Sequence, residues 1–345
     1  MVWKKAALVL LMVTLAVVAL ASSAFAADKV YTIKFAYVSP ELTWYDNYQT
    51  NYITTFKGYV ERASQGRIKV ESYPAAQLGA ERETIEGARM GTIEMISVAD
   101  APLSGFFKES MVLSIPGIFS SIEEANDIFE GPWGRAFNER LRKALGLRVL
   151  SHYSYGFRHF TNSKRPLRVP EDAKGLKFRV MESPVPIKMV ESLSATATPM
   201  PASEMYSAMQ QGVVDGQENP ITAIIQDRTH EVQKYLVLDG HTCSGQFVLM
   251  NDRFFTSLPA DLQKIVEQGA FRARMSASGL IYVKEEAGLQ FLKKYLEIYQ
   301  PTPEEAARWR AAVSKAPMAY VRQQLGDKPV DDLLKAIQAY RKAKK

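Results

Sequence analysis

The chain has 345 residues, with 43 lysines and arginines against 37 aspartates and glutamates, and its net charge at neutral pH is +6. Apart from the C-terminal RKAKK, the basic residues are scattered along the chain, so this small excess excludes the basic footprint of a nucleic-acid-binding protein. The single cysteine, Cys243, excludes an intramolecular disulfide, and a hydrophobic core must therefore stabilise the fold.

The first 26 residues are typical of an export signal. A short cationic segment, Met1 to Lys5, precedes the apolar run Ala6 to Leu20, and Ala24-Phe25-Ala26 fits the small-residue cleavage pattern. The apolar run is shorter than the roughly 20 residues that a membrane-spanning helix needs. We therefore predict cleavage after Ala26 and a periplasmic protein, with a retained N-terminal anchor as the alternative.

The segment that follows alternates between predicted strands and helices. Period-two alternation predicts a strand over 31–37, and apolar residues every three or four positions predict a helix over 45–63 that closes at Gly66. A strand over 67–73, a helix over 81–90 and a strand over 92–98 continue the pattern. This order predicts parallel pairing in an α/β unit.

A second α/β unit is predicted from about Leu147. Its strands cover 147–156 and 176–181, and its helices cover 186–195 and 203–212, the latter with Ser203 as its N-cap and Gly212 just past its end. We expect a strand over 245–251 to return the chain to the first sheet. We expect each unit to have its own sheet, with a cleft between the two.

The last third of the chain is predicted to be helical. From Ala260 to about Tyr299 there is no proline, and the apolar residues keep a helical period. At about 1.5 Å per residue, such a helix is longer than one domain. We expect it to run along both units.

Catalytic signatures are scarce, whereas two arginines lie in a context that suits a carboxylate. The four histidines lack metal-binding spacing, and the sequence has no phosphate-binding loop and no nucleophile elbow. Arg158 follows the strand that opens the second unit, and Arg179 alternates with apolar residues in LKFRVM. A guanidinium donates two parallel hydrogen bonds to a carboxylate. The alternative for each arginine is a solvated side chain or an internal salt bridge.

Two further segments are candidate ligand contacts. In QENP, Pro220 fits the first position of a helix and Asn219 its N-cap, where an anion is also favoured by the helix dipole. Simple capping is the alternative. Trp44 and Tyr45 follow the first strand, where ligands bind in open α/β sheets. A hydrophobic staple for the next helix is the alternative there.

Long motifs in the sequence resemble a known family. The run from LKFRVM (176–181) through MQQGVVDGQENPI (209–221), together with QLGAERETIEGARMGTIEM (77–95), APLSGFF (101–107) and GFRHFTNSKRPLRVPEDAKGLKFRV (156–180), carries the resemblance. The chain resembles the solute-binding subunits of tripartite ATP-independent periplasmic (TRAP) transporters of the dicarboxylate-binding type. The resemblance covers nearly the whole chain beyond the predicted export signal.

The resemblance implies a two-domain, type II-like periplasmic binding protein that closes on an organic acid and delivers it to membrane subunits. It implies a first domain over 27–155 and 245–284 and a second over 156–244 and 285–345, with a long helix at about 260–299 crossing between them. No cofactor, metal or nucleic acid is expected, and a monomer is expected.

The resemblance also assigns binding residues. Arg179 matches the arginine that pairs with the substrate carboxylate, and Arg158 and Asn219 match further contacts. Glu81 lies near the pocket by resemblance. Four aromatic residues are expected around the rest of the ligand and suggest an apolar or aromatic acid. They are Trp44, Tyr45, Tyr155 and Phe157.

Two other functions stay open on the sequence alone. A periplasmic hydrolase or isomerase would use Glu81 or Glu218 as its base. A ligand-loaded sensor would dock on a receptor instead of a transporter.

Overall fold

The structure is a computed structural model, which describes residues 29–43 and 45–344. The predicted export signal over residues 1–26 lies outside the described residues, as does Trp44. None of the helices in these two ranges is both long and apolar enough to cross a membrane.

The first unit is a parallel α/β arrangement, as its sequence predicts. β1 pairs in parallel with β2 on one side and with β3 on the other, and the buried apolar residues of β1 pack under the first helix. The elements are β1 (Tyr31–Ala36), α1 (Tyr48–Ala63), β2 (Ile68–Tyr73), α2 (Glu81–Met90) and β3 (Met95–Ala99).

Short helices then cover the sheet and lead to its longest strand. They are α3 (Asp100–Leu103), a 3-10 helix (Lys108–Ser114), α4 (Ile122–Glu130) and α5 (Pro132–Leu145), followed by β4 (Leu147–Asn162). The predicted strand was too short, because β4 does not stop at Gly156. Gly156 has a φ of 125° and lies at one of two register irregularities, which bend the strand and let it continue.

The second unit alternates strands and helices in the same way. Its elements are a 3-10 helix (Pro170–Ala173), β5 (Lys177–Val180), α6 (Pro184–Glu191), β6 (Thr196–Pro199), α7 (Ala202–Gln210), β7 (Gly216–Asn219), α8 (Ile221–Gln226), a 3-10 helix (Thr229–Glu231) and β8 (Tyr235–Val237). β5 is parallel to both β6 and β7, whereas β7 is antiparallel to β4.

Two predicted helix caps in this unit were wrong. Ser203 lies inside α7, whose N-cap position is Pro201, although Gly212 does follow the helix end with a φ of 72°. Asn219 is the last residue of β7, paired with His159 of β4, and Pro220 occupies the N-cap position of α8. The backbone of Asn219 belongs to the sheet, so its side chain is left for another role.

The chain then returns to the first unit and ends in helices. The remaining elements are β9 (Thr242–Asn251), α9 (Asp252–Ser257), α10 (Ala260–Leu292), β10 (Glu297–Tyr299), α11 (Pro303–Leu325) and α12 (Asp327–Ala343). β9 pairs with β3 and β4, which confirms the predicted return. The long helix ends at Leu292 instead of Tyr299, because residues 297–299 pair with β8 as β10.

The expectation that each unit has its own sheet was wrong, because the described strands of the two units join in one sheet. The described strands form one ten-stranded sheet in the order β2-β1-β3-β9-β4-β7-β5-β6, with β8 beside β4 and β10 beside β8. β4 pairs with β9 through most of its length and with β7 at its end. The two units are therefore joined through β4, and their cores lie on either side of the junction.

The C-terminal helices pack against both units. α10 contacts α1 of the first unit and α8 of the second, with Gly269 close to Val60 and Gly288 close to Ile221. Trp309 of α11 is buried in the core of the second unit. Residues of α12, including Leu333, are buried in a core of the first unit.

Candidate functional site

A cavity of about 400 Å³ lies between the two units. The first unit contributes residues that follow β1 and residues at the start of α1 and α2, and the second contributes β5, β7 and the end of α8. Ligands bind in open α/β sheets at such carboxyl ends of strands. The polar and charged lining residues include Ser39, Tyr48, Glu81, Tyr155, Arg179, Asn219, Gln226, Asp227, Arg228, Glu231 and Gln246.

Arg179 lies in the wall of this cavity. Alternation along β5 places Phe178 and Val180 in the core of the second unit and Arg179 on the opposite face. Its Nε and Nη2 donate to the Met200 carbonyl oxygen at 3.1 and 2.8 Å, and Nη1 lies 3.6 Å from the Met205 sulfur. Only 3% of the residue is exposed, and no described carboxylate forms an ion pair with it.

The charge of Arg179 is therefore buried without an anionic partner among the described residues. Burial lowers the pKa of Arg179 and the charge of Arg158 acts in the same direction, whereas the charges of Glu218, Glu81 and Asp227 act in the opposite direction. A buried charge that lacks a directly hydrogen-bonded counter-ion is costly, and a bound anion relieves that cost. The geometry thus leaves Arg179 able to donate hydrogen bonds to an anion in the cavity.

Glu81 and Asn219 line the same cavity. The Glu81 carboxylate accepts a hydrogen bond from the Ala99 N–H at 2.6 Å; burial raises its pKa, and this hydrogen bond acts in the opposite direction. Asn219 Nδ2 donates to Gln217 Oε1 at 2.5 Å and lies 3.5 Å from the Met205 sulfur that also contacts Arg179. The structure thus brings Glu81, Arg179 and Asn219 together in the lining of one cavity.

Arg158 occupies a different environment. It is 1% exposed and pairs with Glu218, whose Oε1 accepts from Nη2 at 2.9 Å and whose Oε2 accepts from Nε. Its Nη1 donates to the Tyr155 hydroxyl and to Ser244 Oγ, each at 3.1 Å. Arg158 is therefore held in an internal salt bridge behind the cavity, which is the alternative that the sequence left open.

The Arg158–Glu218 pair extends into a buried charged network. His241 Nε2 lies 3.1 Å from Glu218 Oε2, and His241 Nδ1 lies 2.7 Å from Asp239 Oδ2. Burial alone raises the pKa of Glu218, but the charge of Arg158 and hydrogen bonds from His241 and Arg158 outweigh it and lower the pKa to about 2. A carboxylate that stays ionised to that pH is a poor general base.

The aromatic residues singled out from the sequence are only partly at the cavity. Tyr155 lines it, with its ring stacked on Tyr48 at a centroid distance of 5.2 Å. Phe157 packs against the cores of the first unit. Tyr45 is 51% exposed, with Lys284 Nζ 5.9 Å from its ring, and Trp44 lies outside the described residues.

Sequence reasoning missed several polar residues of the wall, among them Ser39, Tyr48, Gln226 and Asp227. Tyr48 was counted only as an apolar position of α1, and Ser39, Gln226 and Asp227 were not considered as ligand contacts. Ser39 lies between β1 and α1, and Asp227 directly follows α8. The signal for them is their position at the ends of elements, since such ends meet at the cleft.

Comparisons with known proteins agree with a binding site of this kind. The chain matches the model of the bacterial extracellular solute-binding proteins, family 7, over residues 43–323. It is 40% identical over 225 residues to a solute-binding protein of Verminephrobacter eiseniae, a match that covers 65% of this chain and 67% of the relative.

Two solved structures share the fold. The sugar acid-binding protein of Advenella mimigardefordensis, solved with galactonate, superposes with a TM-score of 0.85 at 28% identity, over 90% of this chain and 99% of that one. A TRAP periplasmic solute-binding protein from a Polaromonas species, bound to D-erythronate, superposes with a TM-score of 0.81 at 32% identity, over 88% and 98%.

Proposed function

Because this chain belongs to the bacterial extracellular solute-binding proteins of family 7, we propose that it captures an organic acid in the cavity between its two units, with Arg179 as the carboxylate-binding residue. It is a solute-binding protein of the TRAP transporter type, and its family consists of transport proteins rather than enzymes. The solved relatives with galactonate and D-erythronate support a carboxylate ligand.

The observation that carries this proposal is the unpaired charge of Arg179. Two of its guanidinium nitrogens share a single carbonyl oxygen, so donor capacity remains for a bound anion. A carboxylate accepts charge-assisted hydrogen bonds that contribute roughly 1.5–3 kcal/mol each. Asn219, Tyr155 and Glu81 lie in the same wall, and we propose that they contact the bound acid.

We propose that Arg158 supports this wall through its partners. Its hydrogen bonds fix the Tyr155 hydroxyl and the Glu218 carboxylate, and Glu218 precedes Asn219 on β7. Because neighbouring residues of a strand face opposite ways, fixing Glu218 also fixes the direction of Asn219. Direct contact of Arg158 with the acid would require this salt bridge to rearrange.

We propose the following route for the exported chain. The export signal is cleaved after Ala26, the remaining chain captures its acid in the periplasm, and the loaded protein docks on the membrane subunits of a TRAP transporter. We propose that it works as a monomer.

We also propose that the two units are domains that close on the acid. β4 and β9 connect the two units, and α10 contacts both of them. Connection by so few elements is typical of domains that close about a hinge. The first domain would consist of 27–155 and 245–284 and the second of 156–244 and 285–345. Because α12 packs in a core of the first unit, that helix is better assigned to the first domain than to the second.

Calorimetric titration of the exported chain tests the function. Organic acids are titrated alongside their uncharged amides, and the acids are recovered and checked by mass spectrometry. We expect one or more acids to bind at micromolar or lower Kd, the amides to fail, and every acid to be recovered unchanged. Equal binding of acid and amide would contradict a carboxylate site, and a converted acid would indicate an enzyme.

A further inference from the structure

A second group of polar side chains lines the cavity and has hydrogen-bonding capacity left over. Gln226 is buried, and its Nε2 donates to Ser39 Oγ at 2.7 Å and to Asp227 Oδ1 at 3.3 Å. Gln226 Oε1 is buried and accepts no hydrogen bond from any described residue. We call Ser39, Gln226 and Asp227 the acceptor wall.

The acceptor wall needs donors rather than further acceptors. A buried amide oxygen without a donor costs free energy, and native proteins rarely leave one in that condition. Asp227 forms no ion pair with a described residue, and its oxygens accept only the long bond from Gln226. A ligand hydroxyl that donates to Gln226 Oε1 would satisfy the buried amide oxygen. A ligand hydroxyl that donates to Asp227 would satisfy its carboxylate.

The charges around the cavity oppose a second carboxylate on the ligand. Arg228 lies 2.7 Å from Glu231 and is exposed, so that pair is mutually neutralised. Among the described lining residues, this leaves Arg179 as the one cation without a carboxylate partner, set against the carboxylates of Glu81 and Asp227. One ligand carboxylate can pair with Arg179, and a second would face like charge.

We propose that Gln226 and Asp227 determine the substrate class, and that the protein takes an aliphatic monocarboxylate bearing hydroxyl groups in preference to a dicarboxylate. This inference rests on the proposed capture of an acid by Arg179. It differs from the apolar or aromatic acid suggested by the sequence, because the acceptor wall adds hydrogen-bond acceptors to a lining that also includes apolar residues such as Val38, Pro40 and Met181. Electrostatic repulsion of a second carboxylate distinguishes ligands of equal size.

Burial raises the pKa of Asp227 to about 6, although the hydrogen bond from Gln226 and the charges of Arg179 and Arg158 act in the opposite direction. Asp227 is therefore ionised at pH 7.5. An ionised carboxylate accepts a hydrogen bond from a hydroxyl group and repels another carboxylate.

Three four-carbon acids of matched length test the proposal by calorimetric titration of the exported chain at pH 7.5. They are D-erythronate, which carries hydroxyl groups and one carboxylate, succinate, which carries two carboxylates, and butyrate, which carries one carboxylate and no hydroxyl. We expect D-erythronate to bind at least about tenfold more tightly than either of the others, a ratio that corresponds to one or two hydrogen bonds. Equal or tighter binding of succinate or butyrate would overturn the substrate class and leave acid capture intact. Failure of all three acids, together with every acid of the wider screen, would overturn the proposed function itself.

The variant Asp227→Asn keeps the size of the side chain and removes its charge. We expect the ratio of D-erythronate affinity to succinate affinity to fall by about tenfold, because repulsion of the second carboxylate is lost. Asp261→Asn, an exposed aspartate paired with Arg67 away from the cavity lining, serves as the matched control and should keep the wild-type ratio. A ratio that Asp227→Asn leaves unchanged would overturn the role of Asp227, whatever the absolute affinities.

Discussion

Two arginines with similar sequence surroundings lie in different environments, and the difference is set by their partners. Arg158 is neutralised by Glu218 and held by Tyr155 and Ser244. Arg179 contacts a carbonyl oxygen and a sulfur and keeps its charge unpaired among the described residues. Alternation along LKFRVM predicted the direction of Arg179, but no local pattern indicated that Glu218 reaches Arg158. That pairing depends on the register of β7 against β4, which is a long-range property.

The buried network gives a pH dependence of stability at His241. Burial alone lowers the pKa of this histidine, but Asp239 and Glu218 outweigh it and raise the pKa from 6.5 to about 9. A group whose folded-state pKa is raised stabilises the fold fully below its unfolded-state pKa, and this stabilisation is lost as the pH rises through the folded-state value. The contribution of His241 should therefore be complete at pH 6 and mostly lost above pH 9.

Substituting His241→Gln removes the titration while keeping a side chain that forms hydrogen bonds. We expect the variant to be less stable than the wild type at pH 6 by about 1–3 kcal/mol, with the difference shrinking toward pH 9.5. Urea unfolding at both pH values measures it. A stability difference that does not depend on pH would show that His241 is not charged in the folded protein.

At the scale of elements, the long helix α10 depends on glycine where it meets α1. A Cβ added to Gly269 would lie 2.5 Å from Val60 Cγ2 and 3.3 Å from the Phe56 ring, whereas a Cβ added to Gly279 would meet no described neighbour of its helix within 4 Å. Close contact of a helix with its neighbour thus requires glycine at one position and not at the other.

The pair Gly269→Ala and Gly279→Ala tests this packing. We expect Gly269→Ala to lower the free energy of unfolding by about 1–3 kcal/mol through overpacking. Gly279→Ala should raise it by up to about 1 kcal/mol, because alanine favours the helix. Chemical unfolding of both variants measures the difference, and an equal effect at the two positions would contradict the packing of α10 on α1.

Most elements of the fold could be predicted from the sequence, and the departures have identifiable physical causes. Strands β1 and β2 and helix α2 follow periodicity closely, because their own apolar residues set their period. The caps at Ser203 and Asn219 were wrong because sheet pairing and proline geometry override local capping preference. The extension of β4 beyond Gly156 depends on partners far away in the sequence, which a local pattern does not reveal.

At the scale of the whole molecule, the two units share β4 and enclose the cavity between them. Few elements cross from one unit to the other, whereas residues of both line the cavity. Hinge closure around a ligand is the ordinary motion of such an arrangement.

Ligand binding should therefore make the protein more compact. We expect small-angle X-ray scattering of the exported chain to show a smaller radius of gyration when a tightly bound acid from the calorimetric screen is added at saturation. The same acid added to Arg179→Gln should cause no change. An identical scattering curve with and without ligand in the wild type would contradict the proposed division into two closing domains.

The most direct test of the central claim is calorimetric titration of Arg179→Gln beside the wild type, with Arg165→Gln as a control that removes an arginine outside the cavity lining. Circular dichroism and the thermal midpoint confirm that each variant is folded. We predict that Arg165→Gln binds the acid as the wild type does, and that Arg179→Gln binds it at least about 100-fold more weakly, since two charge-assisted hydrogen bonds are lost. A folded Arg179→Gln variant whose Kd stays within about threefold of the wild-type value, equivalent to less than about 0.7 kcal/mol, would contradict the capture of a carboxylate by Arg179.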